Sequence, residues 1–253
     1  MGKKTMSYLS GATRLLPMLL LGMLAACGGG GADPAPPAPV VIPAVAQIEA
    51  GTWVVMGSST AAGAGAPTGK GWAALLAVGY AVRGVQVANL AKGGAVTYEG
   101  LSANTAPVPN RPAPDPKVNI DQALSRKPVL LILSYPANDT AKGYGVDETV
   151  NNLLAIRSRA LAAGVPVLVM SSQPRNLSDS KLAQLRAIDE RMAAGVGGCF
   201  VDVRTPLSGA DGRLPFSFDS GDGVHPNEAG HRVIATQVEA ALNSERCIRF
   251  SNN

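Results

Sequence analysis

The chain has 253 residues, of which 46% are hydrophobic and 16% charged. This composition excludes a disordered or fibrous protein, and the length predicts one folded globular domain. The 22 basic and 18 acidic residues give a formal charge of +4, but Lys3, Lys4 and Arg14 supply three positive charges before residue 27. The rest of the chain is nearly neutral, which argues against a nucleic acid as partner.

The N-terminal segment differs from everything that follows. Its basic residues precede the apolar run LLPMLLLGMLAAC, which is too short to span a bilayer and is typical of a secretory signal. The run ends in Leu24-Ala25-Ala26-Cys27, which resembles the lipobox of bacterial lipoproteins. Residues 1–26 are thus predicted to be a lipoprotein signal peptide. A plain signal peptide, cleaved at a small residue nearby, is the alternative.

The lipobox resemblance implies an acylated Cys27, which would anchor the protein to a membrane. We therefore expect a lipid-anchored protein of the bacterial cell envelope that faces the periplasm or the exterior. Residues 27–47 are rich in Gly, Pro and Ala, and this composition predicts a semi-extended tether. The folded domain is then expected to cover residues 48–253.

Within residues 48–253, short runs rich in Val, Ile and Leu alternate with longer helical patterns. This order predicts an α/β fold of three layers, with a five-stranded parallel sheet between helices. The predicted strands cover residues 52–56, 85–89, 129–134, 165–170 and 200–203. The predicted helices cover residues 71–82, 146–163, 178–194 and 227–242.

Polar turns directly follow three of the predicted strands. They are Gly57-Ser58-Ser59-Thr60, Asn89-Leu90-Ala91-Lys92-Gly93-Gly94 and Ser134-Tyr135-Pro136-Ala137-Asn138-Asp139. Open α/β sheets bind ligands beyond the carboxyl ends of their strands, so we expect these turns to converge at one edge. The proline-rich segment 102–117 follows the second turn, and it is predicted either to shape a pocket or to be an irregular surface connection.

A carboxylate and an imidazole stand three residues apart in Asp222-Gly223-Val224-His225-Pro226-Asn227. At this spacing the carboxylate can bind one ring nitrogen of His225, which leaves the other nitrogen to act as a general base. His231 lies on the following helix without a carboxylate at matching spacing, and we interpret it as structural. Arg175 follows the fourth predicted strand, where a solvated loop charge or a contact with an anionic substrate would explain it.

These motifs, in this order, resemble the four sequence blocks of the SGNH, or GDSL, hydrolase superfamily across nearly the whole predicted domain. The resemblance implies a flavodoxin-like fold and a catalytic triad of Ser59, Asp222 and His225. The usual Gly-Asp-Ser of the first block is Gly57-Ser58-Ser59 here, so Ser58 is the position to compare with Ser59.

The resemblance also implies an oxyanion hole formed by the amides of Ser59 and Gly94 and the side chain of Asn138. Gly93 is an alternative to Gly94, and Pro136 replaces the usual glycine of the third block. The roles agree with the chemistry of these groups, because a hydroxyl attacks an acyl carbonyl and NH donors hold the resulting charge. An ordinary α/β-hydrolase also uses Ser, Asp and His in this order, but its nucleophile motif requires glycine where Ala61 stands.

The expected activity is hydrolysis of carboxylic esters, short acyl or acetyl esters first, in a small-molecule, lipid or glycan substrate. A thioesterase, a lysophospholipase, a cell-wall transacylase and a non-catalytic lipoprotein that binds a glycan or lipid are the alternatives. No cofactor is expected, and a zinc site is not predicted because the ligand spacings are missing. Cys199 and Cys247 either pair in an oxidising compartment or remain buried thiols.

Overall fold

A computed structural model describes residues 45–135 and 137–250. Its main sheet has five parallel strands in the order β3-β2-β4-β5-β6. They are β2 (Thr52–Gly57), β3 (Gln86–Asn89), β4 (Leu130–Ser134), β5 (Val167–Met170) and β6 (Phe200–Val201). The predicted α/β class and five-stranded parallel sheet are thus confirmed. The segment that contains Cys27 and nearly all of the predicted tether lies outside the described residues.

Four long helices cover the sheet: α1 (Trp72–Ala81), α5 (Val146–Ala162), α6 (Asp179–Val196) and α8 (Glu228–Asn243). Each matches a predicted helix within two residues. Asn227 precedes α8 as its N-cap, and its side chain accepts a hydrogen bond from the amide of Gly230 at 3.1 Å. The central strands β4 and β5 are buried along their whole length, as expected for a sheet covered on both faces.

Several short elements were not predicted. The helices are α2 (Thr97–Gly100), α3 (Ile120–Ser125), α4 (Ala137–Ala141) and α7 (Arg204–Leu207), and β1 (Ala46–Ile48) pairs with β7 (Ile248–Phe250) in a separate parallel ribbon. Helices of four to six residues are too short to show a helical period, and neither β1 nor β7 contains a run of Val, Ile and Leu. The last strand of the main sheet also ends two residues early, because the amides of Val203 and Arg204 donate to the hydroxyl of Ser171.

Cys199 and Cys247 form a disulfide in the structure. It joins the end of the short 3-10 turn after α6 to the residue that precedes β7. A cavity of about 440 Å³ lies nearby, between the ends of α6 and α8, and Phe200 and Arg246 are among its lining residues. None of the predicted catalytic residues lines it.

Candidate active site

The register of the sheet brings the first and third predicted turns together. Gly57 at the end of β2 pairs with Ser134 at the end of β4, and the amide of Ser58 donates to the carbonyl oxygen of Ser134 at 3.1 Å. A Cβ atom at Gly57 would overlap that carbonyl oxygen, so the turn requires glycine. Ser58 is buried, whereas Ser59 is only half-buried and lines a cavity.

Ser59, His225 and Asp222 form a continuous chain of hydrogen bonds. The Oγ atom of Ser59 lies 2.8 Å from Nε2 of His225, and Nδ1 of His225 lies 2.6 Å from Oδ2 of Asp222. The other carboxylate oxygen of Asp222 accepts the amides of Val224 and His225, each at 2.8 Å. This arrangement holds the ring with Nδ1 protonated and leaves Nε2 free to accept the Ser59 proton.

The ionisation of Asp222 suits this role. Partial burial by itself raises the pKa of the carboxyl group, but the hydrogen bonds from the His225 amide and ring and from the Val224 amide outweigh burial, and the pKa falls to about 2. The neighbouring Asp219 shapes the same loop, since its carboxylate accepts the amides of Gly221, Asp222 and Gly223. Asp222 is therefore ionised at neutral pH and can stabilise a protonated His225.

The second turn supplies backbone donors beside Ser59. The amide of Ala95 donates to the carbonyl oxygen of Lys92 at 3.1 Å, which leaves Gly93 and Gly94 at the centre of a tight turn. Gly94 has a φ of +74°, a conformation that favours glycine, and Gly93 lines the cavity next to Ser59. Among the described residues, no acceptor binds the amides of Ser59, Gly93 or Gly94.

The side chain of Asn138, which lies in the third turn, contacts the second turn. Its Nδ2 donates to the carbonyl oxygen of Ala95 at 3.0 Å, which places the side-chain amide next to Gly94. The following residue, Asp139, is fully buried and accepts the amide and the hydroxyl of Thr97. Burial raises the pKa of Asp139 to about 6, although the bonds from Thr97 oppose this shift. The two turns are thus joined through neighbouring residues of α4.

A cavity of about 440 Å³ opens at Ser59. Its wall is the segment 61–71, in which Ala and Gly predominate, and none of its lining side chains is charged. Gly65 packs closely against the loop that carries Asp222 and His225, because a Cβ atom there would lie 2.8 Å from Cβ of His225. No residue of the proline-rich segment 102–117 lines this cavity, and Asp115 of that segment instead binds Lys92.

His231 is structural, as interpreted from the sequence, but it supports this same wall. The ring is fully buried, Nε2 donates to the carbonyl oxygen of Ala64 at 2.9 Å, and Nδ1 accepts the amide of Trp72 at 3.2 Å. The amide of Ala64 in turn donates to the carbonyl oxygen of Ser59. The sequence pattern gave no sign of this role, because the partners lie about 160 residues away.

Arg175 is not a solvated loop charge, which was one of the two interpretations offered by the sequence. It is half-buried, and its Nη1 donates to Oδ1 of Asn138 at 3.0 Å. The next residue, Asn176, donates its amide to the carbonyl oxygen of Gly223 at 2.8 Å. The loop after β5 therefore contacts both the Asn138 turn and the loop that carries Asp222 and His225.

Two general features of the described part of the chain bear on function. No group of three or more His, Cys, Asp or Glu side chains there is arranged to hold a metal ion. No helix there combines the length and the apolarity needed to cross a bilayer.

Comparison with known proteins agrees with the fold and the site motifs. Residues 55–233 match the model of the GDSL-like lipase/acylhydrolase family. No curated protein sequence matches the chain. The chain belongs to the GDSL-like lipase/acylhydrolase family, and thus to the SGNH hydrolase superfamily predicted from the four motifs. It is a hydrolase.

Solved structures show the same fold at low sequence identity. The crystal structure of TesA is 22% identical with a TM-score of 0.58, over 77% of this chain and 99% of that one. The psychrotrophic esterase EstA from Pseudoalteromonas sp., inhibited by monoethylphosphonate, is 16% identical with a TM-score of 0.57, over 77% and 97%. A GDSL-like lipase from Bacteroides thetaiotaomicron is 17% identical with a TM-score of 0.56, over 75% and 86%.

Proposed function

We propose that the protein is a serine esterase that cleaves carboxylic esters through an acyl-enzyme on Ser59. The observation that supports this best is the chain of hydrogen bonds from Ser59 through His225 to Asp222, with distances of 2.8 and 2.6 Å. Nε2 of His225 would accept the Ser59 proton as Oγ attacks the ester carbonyl. His225 would then return that proton to the leaving alcohol, and water activated by the same nitrogen would release the acid.

The negative charge of the tetrahedral intermediate would rest on the substrate oxygen. The free amides of Ser59 and Gly94 and the Nδ2 group of Asn138 are the proposed donors, with the Gly93 amide as the alternative within the same turn. Loss of one such donor typically lowers kcat by about 10²–10³. The geometry around Asn138 favours this role, since only one of the two Nδ2 hydrogens is bound, to the carbonyl oxygen of Ala95.

The proposed substrates are esters of acetyl or other short acyl groups. The support is the cavity of about 440 Å³ at Ser59, whose lining consists mostly of Ala and Gly and includes no charged side chain. A series of p-nitrophenyl esters with increasing acyl length should show the highest kcat/KM for the shortest chains. Matched acyl thioesters and lysophospholipids in the same assay separate the esterase from the alternative thioesterase and lysophospholipase.

The catalytic proposal is tested by replacing Ser59 with Ala in the purified protein. Ester hydrolysis should fall by about 10⁶, the loss typical of a triad nucleophile. The matched control is Ser58→Ala, which removes a buried hydroxyl from the same turn and should leave most of the activity. Hydrolysis no faster than the uncatalysed reaction in both wild type and Ser59→Ala, with a fluorophosphonate that fails to label folded protein, would instead favour the non-catalytic binding lipoprotein.

We also propose that the protein is a lipoprotein of the bacterial cell envelope, anchored through acylated Cys27. This rests on the basic residues, the apolar run and the Leu24-Ala25-Ala26-Cys27 motif alone. Cells fed a labelled fatty acid should incorporate it into the wild type and not into Cys27→Ser. Unchanged labelling or membrane retention of Cys27→Ser would contradict the anchor without affecting the catalytic proposal.

A further inference from the structure

Arg175 has an environment that a solvated surface charge does not explain. The side chain is half-buried in the loop after β5, and burial lowers the pKa of its guanidinium group while the nearby Asp222 carboxylate opposes this shift. Desolvation of a charged side chain costs free energy, so a buried guanidinium needs close partners. Its partners belong to α4: Nη1 lies 3.0 Å from Oδ1 of Asn138 and 3.4 Å from the carbonyl oxygen of Ala137.

These contacts leave one orientation for the Asn138 amide. A guanidinium group only donates, so the atom of Asn138 that faces Arg175 must be the oxygen. The other end faces the carbonyl oxygen of Ala95, which only accepts, so that atom must be the NH2 group. One NH2 hydrogen binds Ala95, and the second is left for a substrate oxygen. A flipped amide would lose both contacts and present an oxygen to the developing oxyanion.

A cation bound to the oxygen of an amide also strengthens its NH groups as donors, because hydrogen bonds in series polarise one another. We propose that Arg175 is a positioning residue of the oxyanion hole, which orients and polarises the side-chain amide of Asn138. This inference rests on the proposed esterase function. It adds a residue to the machinery that contacts neither the Ser59 hydroxyl nor the His225 ring.

The test is a double-mutant cycle on the purified protein with a neutral short-chain ester. Arg175→Met keeps the aliphatic stem and removes the guanidinium, and it should lower kcat by about 10- to 100-fold, as is typical when a partner that orients a functional group is lost. KM should change little. Asn138→Ala should lower kcat by about 10²–10³. In the Asn138→Ala background, Arg175→Met should cost almost nothing further, because Arg175 acts through the missing amide.

Two further variants test whether the effect of Arg175→Met is a general consequence of removing an arginine or of disturbing the fold. Arg175→Lys keeps a donor and a positive charge and should recover part of the lost kcat, whereas a purely structural role gives no such rescue. Arg186→Met removes an exposed arginine from α6 and should leave kcat unchanged. Thermal unfolding of each variant checks that it is folded. The side-chain amide resonances of Asn138 should shift in Arg175→Met, a readout that is independent of turnover.

Additive effects of Arg175→Met and Asn138→Ala would overturn the inference. Additivity with an altered pH profile of kcat/KM would assign Arg175 to the Asp222 side, and a rise in KM confined to anionic esters would make it a substrate contact. Failure of the esterase proposal is recognised separately, because Ser59→Ala would then match the wild type. The Asn138 resonances still decide in that case whether Arg175 holds the amide.

Discussion

His225 and His231 lie on either side of the start of α8, and their surroundings are opposite. His225 is partly exposed, and both of its ring nitrogens bind side chains that can exchange protons, Asp222 and Ser59. His231 is fully buried, and both of its ring nitrogens bind backbone groups, at Ala64 and Trp72. The two histidines therefore differ in role because their hydrogen-bond partners differ. Their residue type is the same, and their positions on the chain are close.

Replacement of His225 should cause the largest loss of activity. His225→Ala should lower kcat/KM for a short-chain ester by about 10⁵–10⁶, since it deletes the proposed general base. The melting temperature should change little, because the ring is partly exposed. Steady-state kinetics and thermal unfolding check the two statements. If His225→Ala lowers the melting temperature but the folded variant keeps its activity, His225 has a structural role like that of His231.

A smaller loss is expected at the carboxylate that orients the ring. Asp222→Asn should lower kcat by about 10⁴, because the amide cannot stabilise a protonated His225 and favours the wrong ring tautomer. The matched control is Ser220→Ala, which removes only a long contact of 3.4 Å to Asp222. If Asp222→Asn and Ser220→Ala behave alike in a kinetic assay, the carboxylate has no special role in the site.

Replacement of His231 should affect stability more than activity, the reverse of what is expected for His225. His231→Ala should destabilise the fold by about 2–4 kcal/mol, since it leaves a cavity and two unpaired backbone groups, while the triad residues remain. His231→Gln keeps a donor near the Nε2 position for Ala64, and His231→Asn keeps an acceptor near the Nδ1 position for Trp72. Because Ala64 is bonded to the backbone of Ser59, His231→Gln should retain more activity than His231→Asn. Equal activities would show that the Ala64 contact does not position Ser59.

The smallest effect is the contribution of His231 to the pH dependence of stability. Burial lowers the pKa of His231 below 6.5, so the folded state binds its proton less readily than the unfolded state. Its contribution is complete above about pH 6.5 and declines as the pH falls below that value. The gap in unfolding free energy between wild type and His231→Gln should therefore narrow on acidification, by at most about 1.4 kcal/mol per pH unit.

Buried carboxyl groups act in the opposite direction and must be separated from this effect. Burial raises the pKa of Asp139 to about 6 and of Asp189 to about 7, so both destabilise the fold as the pH rises. They are present in wild type and in His231→Gln, and their contributions cancel in the difference. Denaturant unfolding of both proteins between pH 5 and 7.5 provides the measurement. If the difference in unfolding free energy between wild type and His231→Gln increases towards pH 5, the pKa of His231 is not lowered by burial.

The motifs and the long elements of this protein could be predicted from the sequence because their signals are local. Buried parallel strands appear as runs of Val, Ile and Leu, and each of the five predicted strands is present. Asp222 and His225 are three residues apart, so their contact depends on one short loop. Ser59 could be proposed because the order of the four motifs resembles a known superfamily, and residues 55–233 match the model of a family within it.

Contacts between distant segments could not be predicted in the same way. The roles of His231 and Arg175 depend on partners that lie 167 and 37 positions away, and no local period encodes such a pairing. The same reason applies to the ribbon of β1 and β7 and to the pairing of Cys199 with Cys247, 48 residues apart. The fold class and the candidate triad of Ser59, Asp222 and His225 could thus be predicted from the sequence alone. The residues that hold these side chains in place could be identified only in the folded domain, because their contacts join segments that are distant in the sequence.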